Sequence, residues 1–231
     1  MSVAPVDFGA RPAPRPAWFP AAARRLADAP AGEVLAWALS TFGSGLTVAS
    51  SMQDGVLVHL AVRADPDVEV VFLDTGFHFA ETLETARRMK ARYELNLVTL
   101  RPYDGAPTYR TQGTEACCAA RKLDPLDEHL ARRDAWVTGL RRAESPSRAG
   151  AATLEWDAAR GLVKVNPIVA WTDDDVAAYV LAHDLIVNPL REKGFDSIGC
   201  APCTQPGAGR SGRWAGSGRL ECGLHLVAEG R

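Results

Sequence analysis

Nothing in this 231-residue chain approaches the run of about 20 apolar residues that spans a bilayer. Met1 to Pro20 also lacks the charged-then-apolar layout of a secretory signal, so a cytoplasmic protein with no membrane association is expected. Net charge is nearly absent, at -2, which removes any global attraction to nucleic acid and leaves anion binding to local clusters of arginine. Cysteine is scarce, with five residues, and in a reducing compartment such thiols serve metal ligation or catalysis better than structural disulfides. Lysine is scarcer still, with four. What remains is a composition of 47% hydrophobic and 23% charged residues, enough for one sizeable globular core with tails.

The few cysteines are grouped. Cys117-Cys118 and Cys200-x-x-Cys203 form two close pairs, and Cys222 stands apart in Glu-Cys-Gly-Leu-His. Adjacent cysteines can serve neighbouring irons of a cubane, whereas one zinc would need both to converge on a single point, so a 4Fe-4S cluster is the preferred reading of the four. Buried free thiols would account for one cysteine more easily than for two tight pairs. A lone cysteine with a histidine, His225, three residues on and arginines nearby has the setting of a nucleophile.

Along the chain, residues 1–18 are rich in Pro, Ala and Arg and read as a disordered arm, and the first twenty residues are excluded from the expected core. Helical spacing over 21–29 and 32–42 gives way to a buried strand at 46–50 and a polar turn, Ser50 to Asp54. A helix over 55–63, a strand over 69–74, a helix over 79–93 and a strand over 96–100 follow. This alternation predicts right-handed crossovers and an α/β fold: a mostly parallel twisted sheet with helices on both faces. Residues 117–133 read as a helix interrupted near Pro125, 135–138 as a strand, 153–156 and 162–165 as short strands, and 173–183 as a helix capped by Thr172. Residues 19–204 thus form the domain. The segment 205–231 is too glycine-rich to pack regularly and is expected to be a flexible tail carrying Cys222.

Two loops fall at one edge of that sheet. In the Ser50 to Asp54 turn, Ser50 and Ser51 lie between strand and helix, where hydroxyls and backbone N–H groups hold anions, although an ordinary helix cap would look the same. Asp74-Thr75-Gly76 ends the next strand at the same carboxyl edge, where nucleotides bind in open α/β folds. Basic residues gather at Arg121-Lys122, Arg141-Arg142, Arg148, Arg210 and Arg213. Lys122, four residues from a cysteine pair, is within reach of both a cluster and a substrate. His59, His78, His129 and His183 read as packing or surface residues.

Cys117-Cys118-Ala-Ala-Arg121-Lys122-Leu-Asp-Pro125-Leu126, Trp136-Val-Thr-Gly139-Leu-Arg141-Arg142, Lys164-Val-Asn166-Pro167, Ser197-Ile-Gly-Cys200-Ala-Pro-Cys203-Thr204 and Glu221-Cys222-Gly-Leu-His225 together resemble the assimilatory adenylylsulfate (APS) reductases. With the Ser50 and Asp74 loops, the resemblance runs from Leu46 to His225. It implies an adenine-nucleotide α-hydrolase-like sheet, one 4Fe-4S cluster, APS as substrate, and thioredoxin or a similar dithiol protein as reductant. It also implies that Cys222 is the nucleophile, that Cys117, Cys118, Cys200 and Cys203 hold the cluster, and that Lys122, Arg210, Arg213 and His225 act at the reacting group. Ser50, Ser51, Asp74, Thr75, Gly76, Gly139 and Arg148 would hold the nucleotide. A preference for the 3′-phosphorylated nucleotide (PAPS) stays open, as does a homo-oligomer. A zinc-stabilised nucleotide-binding module is a remoter alternative. An ATP pyrophosphatase on a similar sheet is disfavoured because Ser50-Ser51-Met52-Gln53 lacks the glycines of its phosphate loop.

Overall fold

The computed structural model describes residues 14–214 and Leu224. Helices α1 (Phe19–Leu26) and α2 (Ala31–Phe42) lead into strand β1 (Leu46–Ala49). Helix α3 (Val56–Ala64), strand β2 (Val70–Leu73), helix α4 (Ala80–Tyr93) and strand β3 (Leu97–Leu100) then alternate. Helices α5 (Gly113–Cys118) and α6 (Asp124–Leu130) precede strand β4 (Ala135–Thr138). A hairpin of β5 (Leu154–Asp157) and β6 (Leu162–Val165) follows, and then helix α7 (Asp173–Ala182).

The strands form one sheet in the order β3-β2-β1-β4-β6-β5, parallel throughout except for the β5–β6 pair. Each central strand buries both faces. Leu46 and Val48 of β1, Val70 and Phe72 of β2, Ala135 and Val137 of β4, and Val163 and Val165 of β6 join the larger core with α1, α2 and α3. Trp136 and Leu162, on the opposite face of the pleat, pack with Leu126 and Leu130 of α6. Period-two side chains with helices on both faces explain why these strands read as continuous apolar runs. The chain runs outward from β1 through β2 to β3, then crosses back to place β4 on the other side of β1. The strand order therefore reverses between β1 and β4, which opens a crevice at their carboxyl ends.

Three local expectations are corrected. The helix expected over 117–133 is not interrupted at Pro125, which sits in the first turn of α6, where a missing N–H is tolerated. The irregularity is a π turn, Ala119–Leu123, in which the Asp124 N–H reaches back to Ala119 O. The exclusion of the first twenty residues from the core ends too late. Phe19 is buried, and Trp18 packs its ring against Trp37 and Phe42, because the two aromatics anchor what the prolines before them would leave extended. Residues 1–13 lie outside the described residues.

The third correction concerns 205–214, which pack regularly. Gln205 N donates to Gly212 O, Gly207 N to Gly194 O, and Trp214 N to Cys203 O, and both Arg213 and Trp214 are buried. Glycine serves close approach here: a Cβ on Gly212 would overlap the Gln205 carbonyl. Cys222 and His225, with the rest of 215–231 apart from Leu224, lie outside the described residues.

Candidate active site

The crevice between the ends of β1 and β4 holds a cavity of about 210 Å³. Its floor is the turn after β1. Ser50 Oγ accepts from Met52 N (3.2 Å), and Asp54 Oδ1 accepts from Val56 N (3.1 Å) at the start of α3. Met52 adopts φ 57° with its side chain wholly buried, so packing holds a left-handed backbone that a residue other than glycine would otherwise avoid. Gln53 ties this turn to a distant one: its Oε1 accepts from Ile198 N (2.9 Å) and its backbone carbonyl from Asn188 N (3.0 Å).

Of the residues expected at the site, Ser50, Ser51, Gly139, Lys122, Arg148, Arg210 and Arg213 line this cavity. Leu224, two positions beyond Cys222, is also in its wall. Arg213 lies flat against Gly199, where a side chain would collide with the guanidinium, and donates to Ser197 Oγ (3.2 Å) and toward Ile198 O (3.4 Å). Its guanidinium and that of Arg210 stack on Trp214, at 4.5 and 5.7 Å. Gly139 follows Thr138, whose hydroxyl donates to Asn166 Oδ1 (2.6 Å) and accepts from Leu140 N (3.3 Å), fixing the exit from β4.

Asp74, Thr75 and Gly76 do not line the cavity. Asp74 pairs with Arg101 (3.2 Å) and accepts from Gly76 N (3.1 Å). Thr75 Oγ1 lies 3.2 Å from Cys200 Sγ, and Arg121 donates to Thr75 O (3.0 Å). Of this loop, Thr75 lies in the wall of a second, smaller cavity, which is lined by all four paired cysteines. Cys117 and Cys118 come from the end of α5, and Cys200 and Cys203 from a short turn held by Ala201 N donating to Phe77 O (2.7 Å). None of the four is in a disulfide, and three are buried. Burial pushes the Cys117 and Cys203 thiols up, and the nearby Cys200 adds to it, while Lys122 opposes the rise at both. A thiol-only donor set crowded into one cavity, where bound iron would offset the mutual repulsion of thiolates, suits a polynuclear iron–sulfur group. Among the described residues, no three His, Cys, Asp or Glu side chains converge as on a single metal ion.

Among the described residues, Lys122 is the one common to both cavities. It rides on the π turn, a distortion that recurs at functional sites and that follows directly from the cysteine pair.

Gln53, Arg141, Glu144 and His78 also line the cavity without having been among the expected site residues. Gln53 and Arg141 stood in quoted motifs without a role. Glu144 carries no sequence signal, since one acid in a Ser-Pro-Arg loop looks like solvated surface. His78 read as a packing residue, yet it lines the cavity and its Nε2 hydrogen-bonds Leu73 O (2.7 Å); burial, with Lys122 and Arg213 nearby, pushes its imidazole below the usual range. His59, His129 and His183 lie elsewhere. His59 contacts Tyr179 and His183, and His129 pairs with Glu69.

The match to known proteins is extensive. Residues 45–206 match the phosphoadenosine phosphosulfate reductase domain. An adenosine 5′-phosphosulfate reductase of Streptomyces coelicolor is 47% identical over 216 residues, covering 88% of this chain and 92% of that protein. Among solved structures, a phosphoadenylyl-sulfate reductase from Candida auris superposes with a TM-score of 0.69 at 23% identity, covering 81% of this chain and 96% of that one. A Candida glabrata FMN adenylyltransferase shares the fold at a TM-score of 0.57 and 17% identity, covering 84% of this chain and 69% of that one.

Proposed function

This chain belongs to the adenosine 5′-phosphosulfate reductases within the phosphoadenosine phosphosulfate reductase family, oxidoreductases acting on a sulfur group, and from that premise we propose how its own residues carry the reaction. APS occupies the switch-point cavity. Its phosphosulfate lies among Lys122, Arg210 and Arg213, and its nucleoside lies over Gly139 toward Arg148. The observation that carries the reading is Lys122, shared between this cavity and the one lined by four thiols.

Cys222 is the nucleophile. Its thiolate attacks the sulfur of the phosphosulfate anhydride, the bond from sulfur to the bridging oxygen breaks, and AMP departs, leaving an S-sulfocysteine. The surrounding cations, with His225, favour the thiolate over the thiol and neutralise charge that builds on the leaving phosphate. A thiolate of thioredoxin then attacks Cys222 Sγ and displaces sulfite. The second thioredoxin thiol resolves the mixed disulfide, so that the dithiol supplies both electrons. Leu224 in the cavity wall, two residues from Cys222, supports access of the nucleophile to the sulfate end. Cys117, Cys118, Cys200 and Cys203 would hold a 4Fe-4S cluster, which when bound supplies a fixed charge beside Lys122. Ser50 and Ser51 hold phosphate oxygens in the turn after β1, and Thr75 shapes the cluster's wall.

The test is anaerobic sulfite release from APS and from PAPS, with thioredoxin, on protein whose iron has been counted. Four irons per chain, release from APS, and loss of release in Cys222→Ser with AMP binding retained are expected. Colourless protein holding one zinc overturns the cluster, and an S-sulfonated intermediate in the serine variant overturns the nucleophile.

A further inference from the structure

The cavity changes character along the strand ends. Lys122, His78 and Gly199 cluster at the β2 side, next to the cysteines. Arg141, Glu144, Arg148 and Ile168 occupy the side facing β4 and β6. Three strand spacings, about 14 Å, separate β2 from β6 in the sheet order. With its reacting sulfate at Lys122, a nucleotide placed as proposed above lays its ribose toward Gly139, Arg148 and Glu144.

At that side the guanidinium groups are compensated. The Glu144 carboxylate accepts from Arg141 N (3.2 Å) and forms a short ion pair with the buried Arg148. Arg141 in turn pairs with Asp173 (2.8 Å) and donates to Trp171 O (3.3 Å). Asp54, in the cavity floor, adds a second carboxyl. A nucleotide-binding site that spends a carboxylate at the ribose accepts a free hydroxyl as donor and repels a phosphate there, whereas one that leaves an arginine available accepts the phosphate.

We infer that Glu144 is the specificity-determining residue of this cavity: its carboxylate accepts a hydrogen bond from the ribose and, by holding Arg148, excludes a 3′-phosphate. This rests on the placement of the nucleotide proposed above. The sequence leaves the choice between the two nucleotides open, and the ion pair supplies a physical reason for it.

The experiment compares AMP with adenosine 3′,5′-bisphosphate as displacers of a fluorescent adenine nucleotide, and kcat/KM for APS with that for PAPS. Both are measured on the wild type, Glu144→Gln and Glu144→Asp. Glutamine keeps the hydrogen bonds of the turn while losing the charge, and aspartate keeps the charge. The wild type favours AMP and APS; Glu144→Gln shifts both ratios about tenfold or more toward the 3′-phosphorylated ligands, as expected for removing a like charge; Glu144→Asp keeps the wild-type preference. Unchanged ratios in the glutamine variant, or a wild type that binds the bisphosphate as well as AMP, overturn the inference while leaving the reductase reading intact. A wild type that binds neither nucleotide overturns that reading itself, and with it the placement on which Glu144 depends. The wild-type comparison needs no variant to fold.

Discussion

Lys122 owes its position to three residues of backbone. The cysteine pair ends α5, the π turn advances the chain by an extra residue, and the ammonium is delivered to the boundary between two cavities. A regular helix would have turned it by a further fraction of a turn, away from one of them. Replacing Lys122 by Ala is expected to lower turnover by about 100-fold, the usual cost of removing one charge-stabilising group, while leaving the visible spectrum of the proposed iron–sulfur cluster unchanged. Unchanged turnover would show that the ammonium does nothing at the reacting sulfate, and a bleached spectrum would make Lys122 part of the cluster's support. The spacing from Cys118 to Lys122 made this residue conspicuous in the sequence. Gln53 and Glu144 were not conspicuous, because their partners, Ile198 and Arg148, are fixed by a tertiary contact and by a turn without periodicity. No spacing rule brings together side chains from the ends of β1 and β4, the π turn and the segment after Cys203; that grouping came only with the family resemblance.

Among the elements, those with a clear period were legible. The strands at 46–50, 69–74 and 135–138 and the helix over 79–93 appear within a residue or two of their expected limits, since apolar alternation and runs report burial directly. The helix begun by Thr172 has the expected cap, with Thr172 Oγ1 accepting from Asp175 N (3.1 Å) and Asp175 Oδ2 accepting from Thr172 N (2.8 Å). The segment after Cys203 was misread because glycine has two uses, conformational freedom and absence of bulk, and composition cannot separate them. In 205–214 the second use prevails, and the glycines let a narrow turn close behind Arg210 and Arg213. Gly212→Ala is therefore expected to push the Gln205 backbone aside, costing about 1–3 kcal/mol as an overpacking change. Because Arg213 follows directly, the KM for APS should rise more than the melting temperature falls. A variant with wild-type KM and stability would show that the turn tolerates a Cβ.

At the scale of the whole molecule, the reversal of strand order between β1 and β4 places the site, and the helices on the two faces hold it from regions remote from the cavity. One such region sets a pH limit. His59 on α3 hydrogen-bonds Tyr179 of α7 (3.0 Å) and lies 4.8 Å from the His183 ring, with Arg63 and Arg92 nearby. Burial, then the charges of His183 and the two arginines, pushes the His59 imidazole below its ordinary value of 6.5. Glu69 behaves in the same sense for another reason: burial raises its carboxyl, but hydrogen bonds from Arg133 and His129 outweigh this and hold it below 4.5. Both groups bind protons less readily folded than unfolded, so each contributes stability that is complete above its unfolded pKa and is lost as pH falls through the folded one. Two acid steps in melting temperature follow, one beginning below about pH 6.5 and one below about pH 4.5. His59→Gln keeps a partner for the Tyr179 hydroxyl but cannot titrate, so it should shrink the first step, to which the buried His78 also contributes, and leave the second. If thermal unfolding of that variant between pH 7 and 5.5 follows the wild type, the junction of α3 and α7 is not where the fold first feels acid.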